Sequence, residues 1–359
     1  MGKKDHLTID KEVVQVIGRE LLDWYYRNRR DLPWRKNQDP YKIWVSEIML
    51  QQTRVDTVIP YFQRFIEQFP TLDDLAQAPE EQVIKAWEGL GYYSRVKNLH
   101  AAVKEVSAKY GSQVPDDLET ISKLKGVGPY TAGAILSIAF NKKAPAVDGN
   151  VMRVFSRLFA LTDDIALAST RKKMEHIALQ VIPNNVPGDF NQALMELGAL
   201  ICTPSSPQCL FCPLRSVCNA YAEGIEEELP RKKKAKPPKQ MKMVMLWLSQ
   251  GQRALIEKRP DEGLLAGMWG LPTIQVAEEE SMQEAHLFCD KNGLNVTNIK
   301  VAGKFEHIFS HQHWKVTVIQ GEVSEWASPL PSSWSWMTAD QVNEKPFSNV
   351  YRKALQLFI

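Results

Sequence analysis

Four of the chain's five cysteines crowd into one short run, Cys202-x6-Cys209-x2-Cys212-x5-Cys218, and no other feature constrains the fold as strongly. An odd count in a chain this long argues against a disulfide framework, and a crowded quartet reads as a metal site first. Structural zinc sites usually gather two ligand pairs separated by a longer finger or knuckle. Nearly consecutive ligands instead suit wrapping a compact cube of iron and sulfide, one thiolate per iron, although the spacing differs from the usual ferredoxin runs. A cluster, a zinc ion and a set of buried free thiols all stay open at this point. Cys289 stands far away and is expected to be an ordinary buried residue.

The chain is long enough for two domains: it has 359 residues, 44% hydrophobic and 24% charged, a core-forming composition that excludes global disorder. Its formal charge is 44 − 42 = +2. That total neither advertises nor excludes nucleic-acid binding, which needs a local basic surface rather than a basic sum. No apolar run approaches the roughly 20 residues that span a bilayer; the longest candidate, Ala132 to Phe140, is interrupted by Gly133 and Ser137. The residues Met1 to His6 have no apolar segment behind them, which disfavours a secretory signal, and lack the sixth-position hydroxyl of a myristoylation site. A cytoplasmic address is the expectation.

The pattern changes near Leu229. Residues 8–228 show apolar positions three and four apart, as in Trp44 to Gln52 and Asn191 to Leu197, broken by short turn signals, and predict an all-helical region. Residues 229–242 are dense in lysine and contain Pro237-Pro238, an exposed basic linker that either tethers or also follows a phosphate backbone. Beyond it, Met243 to Leu248 and Trp314 to Ile319 read as strands and Met282 to Asn292 as a helix, so residues 243–359 form a smaller α+β domain.

Two further segments carry chemistry. Leu124-Lys125-Gly126-Val127-Gly128-Pro129-Tyr130-Thr131-Ala132 joins two helical stretches by a glycine turn. Its free N–H groups at a helix N-terminus can hold a phosphate without a basic side chain, although the bare pattern fits any helix connection. One helix later comes Ala146-Val147-Asp148-Gly149-Asn150-Val151, where Asp148 can cap a helix and also face a cleft. Glu47 lies in a largely apolar helix beside Trp44, on a face with Gln51 and Arg54; partial burial there would raise its pKa.

Taken together and in this order, the glycine hairpin, the Val-Asp-Gly-Asn-Val segment and the cysteine loop resemble the helix-hairpin-helix DNA glycosylases of the endonuclease III superfamily. Within it the chain is most similar to the MutY family of adenine DNA glycosylases. Trp44 to Thr53, Gly89-Leu90-Gly91-Tyr92-Tyr93-Ser94-Arg95 and the second domain extend the likeness over nearly the whole chain. The resemblance implies a multidomain α and α+β protein. Its helical glycosylase region, 8–228, would be a six-helix barrel plus an iron–sulfur module, with the hairpin near 124–132 and the cluster loop at 202–218. The 229–242 linker and a Nudix-like domain at 243–359 that recognises 8-oxoguanine would follow.

The family's chemistry implies roles for named residues. Glu47 would protonate adenine N7, Asp148 would stabilise an oxocarbenium-like sugar, and Tyr130 and Asn150 would hold Asp148 and the sugar. Bifunctional relatives carry a lysine where this chain has Tyr130, and a phenol cannot form an imine, so base removal without an efficient lyase step is expected. Arg30, Trp34 and Gln192 match the adenine pocket. Tyr92 would wedge into the stack, while Gln52, Thr53 and Leu90 would touch the opposite base. Gly126 and Gly128 would bind phosphate, with Arg215 reaching another. Phe309, Ser310 and His311 match the loop that reads the lesion. Glutamates at Glu278 to Glu280 and Glu284 do not form the metal box of Nudix hydrolases, so binding without pyrophosphatase activity is expected.

The implied cofactors are one 4Fe–4S cluster on Cys202, Cys209, Cys212 and Cys218, and a monovalent or divalent cation at the hairpin turn. The implied partner is double-stranded DNA holding 8-oxoguanine:adenine or guanine:adenine mispairs, with nucleoid association, a sliding-clamp contact, no membrane and a monomeric chain. Two other functions compete: an endonuclease III-like glycosylase/lyase for oxidised pyrimidines, against which Tyr130 speaks, and a non-catalytic lesion-binding protein, against which the pair Glu47 and Asp148 speaks.

Overall fold

Apolar spacing and polar caps set the helices of the first two-thirds of the chain, and a computed structural model describes residues 7–233, 237–277, 281–326 and 329–359. The helices are α1 (Lys11–Asn28), α2 (Pro40–Leu50), α3 (Val55–Gln68), α4 (Leu72–Gln77), α5 (Glu80–Ala86), α6 (Ser94–Tyr110), α7 (Leu118–Ile121), α8 (Pro129–Ile138), α9 (Gly149–Leu158), α10 (Ala168–Val181), α11 (Pro187–Leu200) and α12 (Asn219–Glu223). Asp10, Asp39, Asp117 and Asp148 cap α1, α2, α7 and α9 through their carboxylates, satisfying N–H groups that a helix start leaves free. Among the described residues before 237 there is no strand, as the periodicity predicts. None of the described helices is long and apolar enough to cross a membrane.

Chain contacts divide the molecule into two compact units. One is Met1–Gln77 with Lys97–Lys234; the other is Ala78–Val96 with Ala235–Ile359. Residues 78–96, expected within the helical region, therefore cluster with the C-terminal part instead. In the first unit, α1, α9, α10 and α11 share a core of Leu21, Tyr25, Phe155, Met174, Phe190 and Leu194, and Cys202, Cys212 and Cys218 pack against it.

The second unit is built on a mixed seven-stranded sheet. Its strands are β1 (Lys239–Gln250), β2 (Arg253–Lys258), β3 (Trp269–Gly270), β4 (Thr273–Val276), β5 (Leu294–Ile308), β6 (Gln312–Trp326) and β7 (Trp334–Thr338), with α13 (Ser281–Lys291), α14 (Ala339–Glu344) and α15 (Asn349–Leu355). The path runs β3-β2-β1-β6-β5, with β4 on β1 and β7 on β2. β1 and β6 pair in parallel from Lys239↔Gln312 onward, so the sheet begins inside the stretch expected to be linker. A lysine-rich edge hid the strand, because Lys239 and Lys242 sit outside its apolar alternation. Residues 234–236 of that linker, and Glu278 to Glu280, lie outside the described residues. Alternation decides the two faces of β1. Met243 and Met245 join a core with Val350, Tyr351 and Leu355 of α15, whereas Val244, Leu246 and Leu248 join one with Ala285 and Cys289 of α13. Cys289 is buried there, as expected.

Candidate active site

The hairpin's second helix, α8, is buried from Thr131 to Ser137, and one glycine lets the chain cross it closely. A Cβ at Gly133 would stand 1.8 Å from the Pro145 carbonyl oxygen. The 144–146 segment is pinned by buried Asn191, whose amide donates to the Ala144 carbonyl (2.8 Å) and to Ser137 Oγ (2.9 Å). This close crossing delivers the chain to Asp148 at the start of α9.

Asp148 caps α9 and lines a cleft at once. Its Oδ1 accepts from the Val151 N–H (2.8 Å) and its Oδ2 from Asn150 Nδ2 (2.9 Å). Burial pushes its pKa up, and the Val151 and Asn150 donors pull it back. Glu47, in α2, is 5% exposed. Burial drives its pKa to about 7, Asp148 adds to the rise, and the Tyr130 hydroxyl and Arg35 oppose it. The cleft between these carboxylates holds about 600 Å³ and is also lined by Arg30, Trp34, Gln52, Thr53, Gly126, Gly128, Tyr130, Asn150 and Gln192. Among its described lining residues there is no lysine.

One partnership differs from expectation. The Tyr130 hydroxyl donates to Glu47 Oε2 at 2.5 Å rather than to Asp148. Tyr130 projects from the first turn of α8 toward α2, while the Asp148 oxygens accept from the Val151 N–H and Asn150 Nδ2. Leu90, expected at the opposite base, is buried at 7% exposure, whereas Tyr92 is 47% exposed. Both belong to the second unit. The Gly126 backbone has φ +80°, which suits the tight hairpin turn, and Gly128 caps α8. Gln52 is exposed with φ 58°, where α2 has ended and α3 has not begun.

Sequence reasoning missed a buried ion triad at the rim. Glu196 is 1% exposed and accepts from Arg30 Nε (2.8 Å), Arg30 Nη2 (3.0 Å) and Arg35 Nη2 (2.9 Å). Burial alone would raise its pKa, but the two guanidiniums outweigh that and hold it at about 2. Arg30 is therefore oriented by Glu196. The available signal was Glu196 one helical turn beyond Gln192.

The four clustered cysteines line one cavity with Arg157, Arg215, Tyr221 and Glu226. Among the described residues no group of three His, Cys, Asp or Glu side chains could hold a single metal ion. A lone tetrahedral zinc needs its thiolates converging on one point, at about 2.3 Å each. Four thiols lining one cavity are a donor set that a metal group held by all four would use. Arg157, fully buried in α9, places Nη1 3.3 Å from Cys202 Sγ and 2.7 Å from the Thr203 carbonyl. Burial pushes the thiols of Cys209, Cys212 and Cys218 up, Cys212 to about 12, so as free thiols they stay protonated.

In the second unit, Phe309, Ser310 and His311 form the tip of the β5–β6 hairpin. Phe309 anchors it against His307 and Trp314, with ring centroids 4.5 and 5.0 Å away. Ser310 and His311 are exposed, with Ser310 Oγ 3.4 Å from His311 Nδ1.

Comparison with known proteins fits this geometry. Residues 45–184 match the HhH-GPD superfamily of base excision DNA repair proteins, and residues 243–357 match the NUDIX domain. The mouse adenine DNA glycosylase is 35% identical, over 98% of this chain and 80% of its own length. The chain belongs to the adenine DNA glycosylase family. Among solved structures, a thermostable thymine-DNA glycosylase is similar at TM-score 0.54 and 30% identity, covering 59% of this chain and 98% of its own. A trapped endonuclease III–DNA covalent intermediate is similar at TM-score 0.52 and 25% identity, covering 61% and 100%. This glycosylase therefore couples the helix-hairpin-helix fold of base excision repair to a Nudix-like domain.

Proposed function

We propose that the chain removes adenine mispaired with 8-oxoguanine, or with guanine, by hydrolysing its N-glycosidic bond without cutting the strand. The observation that carries this reading is a pair of buried carboxylates in one cleft with opposite surroundings. Glu47 has one hydroxyl partner and a pKa near 7, whereas Asp148 is held by a cap N–H and an amide. Burial raises both, but Asp148 carries the Val151 N–H and Asn150 donors that favour its ionised form, which supports Glu47 as the acid and Asp148 as the anion.

An adenine extruded from the duplex enters the cleft, and protonated Glu47 delivers its proton to N7. The C–N bond then breaks, the electron pair leaves with the base, and positive charge develops on the sugar. Ionised Asp148 stabilises that charge until water adds. Tyr130 orients the Glu47 carboxyl, and Asn150 orients Asp148. Arg30, Trp34 and Gln192 shape the base pocket. Tyr92 fills the vacated stack, and Gln52 and Thr53 meet the opposite strand. Ser310 and His311 read the altered edge of the oxidised purine.

The amides at Gly126 to Gly128 take a phosphate. A cation there would be held by backbone carbonyls. Cys202, Cys209, Cys212 and Cys218 would hold a 4Fe–4S cluster, whose iron–thiolate bonds cross-link the 202–218 loop. The exposed Arg215 lies on that loop and is available to a phosphate.

Labelled duplexes holding adenine opposite 8-oxoguanine test the proposal, with and without alkali, for wild type and Asp148→Asn. Strand cleavage only after alkali, lost in the variant, is expected. Cleavage without alkali would revive a lyase, and absent base release would leave a binding protein.

A further inference from the structure

Tyr92 is exposed, yet its conformation is tightly determined. Its backbone lies in the left-handed region (φ 48°), directly after a loop in which Gly89 (φ 102°) and Gly91 (φ 72°) have positive φ as well. A bulky residue stays there only where its surroundings hold it. Part of the hold is local. Trp87 Nε1 donates to the Gly91 carbonyl (3.2 Å), and Arg95 Nη2 donates to the same carbonyl (3.1 Å) with its guanidinium 5.5 Å from the Tyr92 ring centre.

The rest comes from residues 188 to 264 positions away in sequence. Asn349 Nδ2 donates to the Gly89 carbonyl at 3.3 Å (|i−j| = 260). The Tyr93 hydroxyl accepts from the Gly89 N–H (3.3 Å) and donates to the Phe347 carbonyl (3.5 Å). Arg352 Nε donates to Glu88, whose other oxygen takes Lys85 Nζ at 2.6 Å. Lys85 also donates to the Asn343 carbonyl (2.7 Å). At the far end of α5, Glu81 accepts from Trp269 Nε1 (2.5 Å) and Lys345 Nζ (3.1 Å). Charged groups at both ends of α5 thus tie it to residues beyond 235.

We infer that the C-terminal unit positions the wedge: Asn349 and Arg352 are positioning residues that act through Tyr92 on the opening of the base stack. The inference rests on the base-flipping reading above. It puts stack opening in the same unit as the 309–311 tip, since that unit carries both Tyr92 and the tip. Both carboxylates belong to the other unit.

The test uses the full chain and a duplex with 2-aminopurine beside the target adenine, whose fluorescence rises as the stack opens. Asn349 is exposed, so Asn349→Ala is expected to fold. It should slow the fluorescence rise about tenfold, as a displaced positioning group does. Tyr92→Ala should lose the rise as well, and adding Asn349→Ala to it should change nothing further. Glu88→Arg and Arg352→Glu should each slow opening, and together should restore part of it. Additive losses in the Tyr92→Ala background, or full-rate opening in Asn349→Ala, would overturn the inference. A wild-type chain that neither opens the stack nor releases adenine would overturn the functional reading itself.

Discussion

Replacing Glu47 by glutamine should inactivate the enzyme and stabilise it, with a stabilisation that depends on pH. The folded pKa is about 7 and the ordinary value 4.5, because burial penalises the carboxylate. The folded value is the higher one, so this group's contribution to stability is fully present below pH 4.5 and is lost as pH rises to 7. The difference, 7 − 4.5, corresponds to about 3 kcal/mol at about 1.4 kcal/mol per unit. Above pH 7 the wild type carries an ionised buried carboxylate, and glutamine, which does not titrate, carries none. Glutamine also keeps an oxygen to accept the Tyr130 hydroxyl. Urea unfolding of wild type and Glu47→Gln at pH 5 and pH 8 measures the effect. The stability gap should move in the variant's favour by most of that 3 kcal/mol between the two pH values, while adenine release falls about 10²–10⁴-fold. A gap that is the same at both pH values would refute the argument that burial keeps Glu47 protonated near neutrality, and with it the basis for its acid role.

Tyr130→Phe removes the donor that favours ionised Glu47, so the alkaline limb of the release rate should move up from pH 7 by about one unit; a downward shift in the pH–rate profile would contradict this. Arg153→Ala should lower single-turnover release about tenfold and loosen the cysteine loop, because Arg153 Nη2 holds Asn150 Oδ1 (2.9 Å) and its Nε holds the Cys202 carbonyl (2.7 Å). Iron retention under chelator challenge follows the loop, and Arg153→Lys, lacking the fork, should not rescue it. Gly133→Ala should cost about 3 kcal/mol or more, since its Cβ would meet the Pro145 oxygen at 1.8 Å; an unchanged melting temperature would show that α8 and the 144–146 segment can part freely.

Much of the site was legible because its residues sit in short, distinctive contexts. Glu47, Tyr130, Asp148 and Asn150 each lie in a motif whose glycines or apolar neighbours mark a turn or buried helix, and the structure gathers all four in one cleft. What escaped the sequence were partnerships across long separations. Glu196 meets Arg30 and Arg35 more than 160 positions away (|i−j| = 166 and 161), and its place one turn beyond Gln192 is a weak local sign against the look of a surface glutamate on an amphipathic helix. Segment 78–96 reads as helix and loop like its neighbours, and it is long-range contacts, among them ion pairs with Lys345 and Arg352, that go with its place in the second unit. The first residues of β1 were hidden because Lys239 and Lys242 mask the two-residue period there.

The helix α9 explains why a cysteine loop accompanies this carboxylate site. Asp148 caps it, Asn150 holds Asp148, and Arg153 holds Asn150 together with the Gly198 and Cys202 carbonyls. One turn further, Arg157 reaches Cys202 Sγ and the Thr203, Pro204 and Leu229 carbonyls. Gly198 belongs to the same arrangement, because a Cβ there would come within 2.7 Å of Asn150 Cβ. Two buried arginines with their charge directed at backbone oxygens and a sulfur are costly unless those acceptors stay in place. Whatever cross-links the 202–218 loop therefore fixes the acceptors, the acceptors fix the arginines, and Arg153 fixes the amide that orients Asp148. Disorder in the loop would reach Asp148 through three hydrogen bonds on one rigid helix, whether or not the loop itself touches DNA.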